Sequence, residues 1–216
     1  MSLAYCARLH SLKGDDAALG ERADELVAVA TEQGFLLFRA VGAIYRGCAK
    51  VKNGDVAEGT SLLRSGSAAY RATGAENWMP HYTALLADAY AIAGQVEESL
   101  AVLDDTLEIV ARTGERLLDA ELNRRKGQLL LRRGHAEAAE ELYRQALRMA
   151  QEQEAKLWEL RAAASLARLR LSDRRFRRWL HALGGQGAKA MSIAAGQRSF
   201  VIAPSAPSAG SSTRDR

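Results

Sequence analysis

A chain of 216 residues, 48% hydrophobic and 26% charged, is long and apolar enough to bury a full-sized core, which excludes a wholly disordered protein. No apolar run approaches the roughly 18 residues a membrane-spanning helix needs, and two cysteines, Cys6 and Cys48, without a CxxC pair exclude a zinc site built on cysteine pairs. The formal net charge of +4 is unevenly placed: residues 172–216 hold eight basic and two acidic side chains, a net of +6, so the remaining body stands at −2 and carries no general nucleic-acid footprint.

The N-terminal MSLAYCARLHSLKGDD has neither a long apolar region nor a cleavage-site pattern. No secretory signal is expected there, and both thiols read as reduced in a cytoplasmic protein. From Gly14 onward, glycine recurs at Gly34, Gly54, Gly74, Gly94, Gly114 and Gly134, one every 20 residues. Only 18 of the 216 residues are glycine, so seven consecutive hits on one grid mark a repeat. Glycine just past a helix end takes the left-handed conformation without steric cost. A 20-residue unit holds a helix of about 17 residues, roughly 25 Å long, and a short turn. Between the glycines the chain is rich in Ala, Leu, Glu and Arg, all strong helix formers. Pro80 falls in a first turn, where it is tolerated. Further on, Val96, Leu100, Leu103, Leu107 and Val110, then Ala139, Leu142, Tyr143, Ala146 and Leu147, recur at helical spacing. The grid stops at Glu154 and Arg174. The reading is all-α, with nine helices over residues 1–173 and turns at the seven glycines.

Alternate units differ in kind, so the repeat is a helical hairpin of about 40 residues. Ala7, Gly47, Ala87, Gly127 and Ala167 form one small-residue series; Gly59, Ser99 and Ala139 form a second in the partner helix, and Gly66, Thr106 and Ala146 a third. Small residues at fixed places let antiparallel helices approach closely. Leu86, Ala87, Tyr90, Gly94, Ser99, Leu103 and Thr106, repeated as Gly127, Gly134, Ala139, Tyr143 and Ala146, resemble a tetratricopeptide (TPR) repeat, with a unit longer than the usual 34. The phrases ERADELVAVATEQGF, SAAYRATGAENW, LLADAYAIAGQVEESL, RTGERLLDAELNRRKGQLLL and KLWELRAAASLARL resemble the C-terminal TPR region of bacterial proteins that join a class III adenylate/guanylate cyclase domain to a STAND-type ATPase. That resemblance covers residues 1–171. It implies a TPR-like α-solenoid over residues 1–173 and a regulatory role beside cyclase and ATPase domains. Where the family continues with a glycine turn and an acidic helix, residues 174–216 instead read as a basic, Gly/Ser/Pro-containing tail, expected to be disordered. Trp179 falls where Gly59, Ser99 and Ala139 stood, which fits a linker or an out-of-frame end.

No sequence motif supplies catalysis. The nearest approach to a phosphate loop, GTSLLRSGSA at 59–68, lacks the lysine and lies inside an expected helix. None of the four histidines sits in HExxH or pairs with another at helical spacing, and no GxSxG is present. His135 reads as a helix-start residue. Trp78 and Trp158, near helix starts, read as core filling. RRFRRW at 174–179 is the densest basic cluster and reads as the end of a terminal helix. No cofactor and no metal is expected.

The expected function is non-catalytic binding of a protein or peptide, with the cyclase and ATPase domains as candidate partners. The alternative is a detached fragment of such an enzyme with no activity of its own. A nucleic-acid-binding repeat is the weakest reading, and no membrane role is expected. If Thr83, Leu86, Ala87 and Tyr90 pack against the partner helix, positions 81, 84 and 88 lie opposite. Steps of 40 then place His81, Asp88, Glu121, Arg124, Gln128, Arg161 and Arg168 on the concave groove, with Arg132 one turn beyond Gln128. Such a groove suits a carboxylate-bearing peptide; the alternative is that its arginines are solvated or paired with Glu121 and neighbouring acids.

Overall fold

The computed structural model describes residues 2–172, which form nine α-helices and one 3₁₀ turn. They are α1 Ser2–Lys13, α2 Asp16–Glu32, α3 Leu36–Lys52, α4 Val56–Ala72, α5 Met79–Ile92, α6 Val96–Thr113, α7 Asp119–Arg132, α8 Ala136–Glu152 and α9 Lys156–Ser172, with the 3₁₀ turn at Arg116–Leu118. No strand occurs among the described residues. The chain divides into two compact units, 1–169 and 170–216; of the second only 170–172 are described, so the architecture below is that of the first. The expected tail 174–216, with its RRFRRW cluster and Trp179, lies outside the described residues.

The glycine grid is the turn series of this fold. All seven glycines have φ between +69° and +97°. At Gly134 the turn closes with its N–H on the Leu131 carbonyl at 3.0 Å and the His135 N–H on the Leu130 carbonyl at 3.0 Å, a pairing that satisfies helix-end carbonyls. The turn series outlasts the glycines. Glu154 adopts φ +53° and repeats the closure: its N–H reaches the Gln151 carbonyl at 3.1 Å, and the Ala155 N–H reaches the Ala150 carbonyl at 2.9 Å. The expected end of the grid at position 154 is therefore a change of residue and not of backbone.

Helices pair within hairpins along the small-residue series. A Cβ on Gly47 would lie 2.7 Å from the Gly59 carbonyl oxygen, and one on Gly59 would lie 2.7 Å from the Gly47 carbonyl oxygen, so α3 and α4 meet backbone to backbone. One hairpin on, Ala87 and Ser99 hold this place, and the Ser99 hydroxyl donates to the Ala87 carbonyl at 2.7 Å. The third pair is Gly127 with Ala139 and the Tyr143 ring. Thr106 bonds Thr83 at 2.9 Å between the same two helices, α5 and α6. GTSLLRSGSA lies inside α4, and its glycines serve this packing.

Two helices start later than the glycine grid implies: α5 at Met79 after Gly74, and α7 at Asp119 after Gly114 and the 3₁₀ turn. In α5 the delay coincides with Trp78, which takes φ +65° and whose N–H bonds both Glu115 carboxylate oxygens at 3.2 Å. The Trp78 ring carries the Arg8 guanidinium 3.6 Å from its centre. Burial of Tyr45, Tyr82, Tyr70 and His81 makes an aromatic core across α3, α4 and α5; Leu103, Leu122, Leu129 and Trp158 continue the core toward α9.

Candidate functional site

Residues from all five odd-numbered helices line one cavity of about 340 Å³, whose polar wall is mostly charged. Glu121 stands at its centre, 2% exposed. It accepts from Arg124 Nε at 2.7 Å and Nη2 at 2.8 Å, from Arg125 Nε at 3.2 Å and from Arg161 Nη1 at 3.4 Å. Arg125 turns its Nη1 to Asp88 at 3.0 Å and to the Ala84 carbonyl at 3.1 Å. Arg161 donates Nη2 to the Leu12 carbonyl at 2.8 Å, so the ninth helix is tied to the end of the first. Arg132 donates to the Ala91 carbonyl at 3.0 Å.

These contacts decide the protonation states. Burial pushes the Glu121 carboxyl up, but hydrogen bonds from Arg124 and the charges of Arg125, Arg124 and Arg161 outweigh it and hold the group at about 2. Burial disfavours the Arg125 charge, yet Asp88 and Glu121 raise its affinity for the proton. Cys48, on the same wall, is pushed up to about 12 by burial and by Asp88, so it stays a thiol. Cys6 is half-buried, and neither cysteine is in a disulfide.

Six of the eight sequence-derived groove residues meet here: Asp88, Glu121, Arg124, Gln128, Arg132 and Arg161. Arg168 is exposed on α9 and is not part of the cavity wall. His81 is not on the groove at all. It is 1% exposed, packed against Tyr45, Trp78 and Tyr82, and burial followed by the charges of Arg125 and Arg8 lowers it to about 3. An inner helix has neighbours on both sides, so the side opposite its hairpin partner meets the preceding odd helix and not solvent. The same geometry leaves Leu86 and Tyr90 half-buried while Thr83 and Ala87 are buried. Three charged cavity residues lie outside the sequence-derived set: Arg125, Lys52 and Asp16. The 40-residue step gives a signal for the first: the buried positions Tyr45 and Leu85 lead to Arg125, a charge where the register demands burial.

Residues 81–152 match the tetratricopeptide repeat family. Solved structures align over nearly the whole chain. The TPR-like repeats of the kinesin light chain type from Podosopora anserina superpose with a TM-score of 0.57 at 22% identity, covering 92% of this chain and 96% of theirs. BtubC (BKLC) from P. vanneervenii gives a TM-score of 0.58 at 16% identity, covering 95% and 98%. The fold is a TPR-like α-solenoid. No curated protein matches the sequence. Within this TPR-like array, the described residues hold no group of three metal-ligating side chains, and no described helix is long and apolar enough to cross a membrane.

Proposed function

We propose that this chain is a non-catalytic protein-binding module whose partner engages the face formed by the odd-numbered helices. TPR repeats generally bind protein partners, and the TPR-like fold supports the reading. One observation carries it: five basic side chains, Lys52, Arg124, Arg125, Arg132 and Arg161, converge on one cavity against three carboxylates, Asp16, Asp88 and Glu121. The excess falls on Lys52 and Arg132, which are exposed and open to a partner.

The cavity also sets the kind of contact. Its excess of basic groups calls for an acidic side chain or chain terminus on the partner. Acidic peptides on an array should bind the wild-type chain and lose binding on Arg132→Ala. Equal binding of acidic and neutral peptides would sink the reading.

The likeness of its phrases to the TPR region of cyclase–ATPase proteins makes those domains, in the cytoplasm, the first partners to test. Co-expression of this chain with the cyclase and ATPase domains from the same genome should yield a complex that Arg132→Ala weakens. A detached fragment would behave identically in isolation, and an upstream cyclase–ATPase reading frame would favour it.

A further inference from the structure

Resting on that reading of the cavity, we infer that the group it takes is a phosphomonoester dianion. The internal pairs do not exhaust the charge. Arg124, Arg125 and Arg161 share Glu121 and Asp88, leaving one positive charge over. Arg132 and Lys52 line the same cavity and enter no ion pair. Asp16, also in the lining, returns one negative charge. The surplus is two. A carboxylate would neutralise half of it; a phosphomonoester above its second pKa, near 6, carries the matching charge and three acceptor oxygens.

The donors fit that geometry. Arg132 spends one Nη1 bond on the Ala91 carbonyl, and the rest of its guanidinium fork stands on the exposed side of the cavity. The Nη1 of Arg124 is held only by the Ser165 hydroxyl at 3.4 Å. Lys52, exposed at the end of α3, adds an ammonium to the same lining. Forked guanidinium donors with one flexible ammonium are well suited to tetrahedral oxyanions. Meanwhile Glu121 keeps the three fixed arginines in place without a ligand, so the site is preorganised.

Two sources offer this chemistry: a phosphorylated side chain on a protein partner, or a free phosphorylated small molecule. The test uses thermal melting and ³¹P NMR titration of the full chain with inorganic phosphate, a short phosphoserine peptide, its aspartate counterpart, and adenosine monophosphate, each against sodium chloride of matched ionic strength. Phosphate and the phosphoserine peptide should raise the melting temperature saturably. The Lys52→Ala/Arg132→Ala double variant should weaken both at least tenfold with unchanged helicity by circular dichroism, and Arg132→Lys should recover part of the loss. Binding by adenosine monophosphate but not the peptide would uphold the dianion site and reject a protein partner there. Aspartate peptide binding as tightly as phosphoserine would overturn the dianion assignment while leaving the acidic-partner reading intact. No saturable response to any phosphate probe would also overturn it.

Discussion

The approach of α3 to α4 can be tested with one methyl group. In Gly47→Ala the added Cβ meets the Gly59 carbonyl oxygen at 2.7 Å, the Leu63 nitrogen at 2.9 Å and the Leu62 Cβ at 3.0 Å. All are inside the 3.4 Å at which ordinary contact begins, and two of the three obstacles are main chain, which cannot rotate away. The helices must separate by about half an ångström, spoiling the packing of Ile44 and Leu63, both fully buried. Overpacking of this kind costs about 1–3 kcal/mol, and rigid obstacles put it near the top of that range. Alanine returns about 1 kcal/mol in helix propensity. The net is a loss of about 2 kcal/mol, or roughly 4–8 °C in melting temperature for a chain of this size. Gly20→Ala is the internal control: it lies within α2, and its Cβ would find only the Ala49 Cβ at 3.7 Å. The same chemical change there should stabilise by about 0.5–1 kcal/mol. Urea and thermal unfolding of both variants, followed at 222 nm, give the comparison. If Gly47→Ala is as stable as Gly20→Ala, backbone contact does not set the hairpin spacing.

Replacing Glu154 by glycine should raise stability by about 1 kcal/mol in the same assay, because it relieves a left-handed non-glycine residue while keeping the turn's hydrogen bonds. Glu121→Gln should cost about 3–5 kcal/mol, since it strips Arg124, Arg125 and Arg161 of their shared counter-charge; a near-neutral result would mean water compensates them. His81 binds its proton at about 3 in the folded chain and near 6.5 when unfolded. Its stabilising contribution is therefore fully present above 6.5 and falls as pH drops from there toward 3, by about 2 kcal/mol between pH 7.5 and 5. His81→Phe should flatten urea midpoints over that interval, and an unchanged slope would refute the assignment.

Much of this fold is legible in residue types because two backbone demands are chemically specific. A left-handed turn and a main-chain contact both favour glycine, so the grid at Gly14 to Gly134 and the series through Gly47, Gly59 and Gly127 show in the sequence. Glu154 shows the limit: where hydrogen bonds on both sides hold a turn, a larger residue tolerates it, and the signal vanishes while the structure persists. The site was less legible. Angular arithmetic on a single helix locates Asp88 and Arg124 but cannot know that a second inner helix covers His81. Arg125 escaped because its neighbours one and two repeats back are apolar, and only the assembled helices reveal the carboxylates that receive it.

A stack of hairpins ordinarily behaves as a spring: each unit touches the next, and the ends are strangers to one another. The bond from Arg161 to the Leu12 carbonyl joins residues 149 positions apart. Closing so long a loop costs entropy that no local contact repays, so this tie should form last during folding and slow its final step. Once made, it ties the opening of the first helix to that of the ninth. Hydrogen exchange at the amides of α1 should therefore slow in step with those of α9, and Arg161→Ala should let the two fray independently.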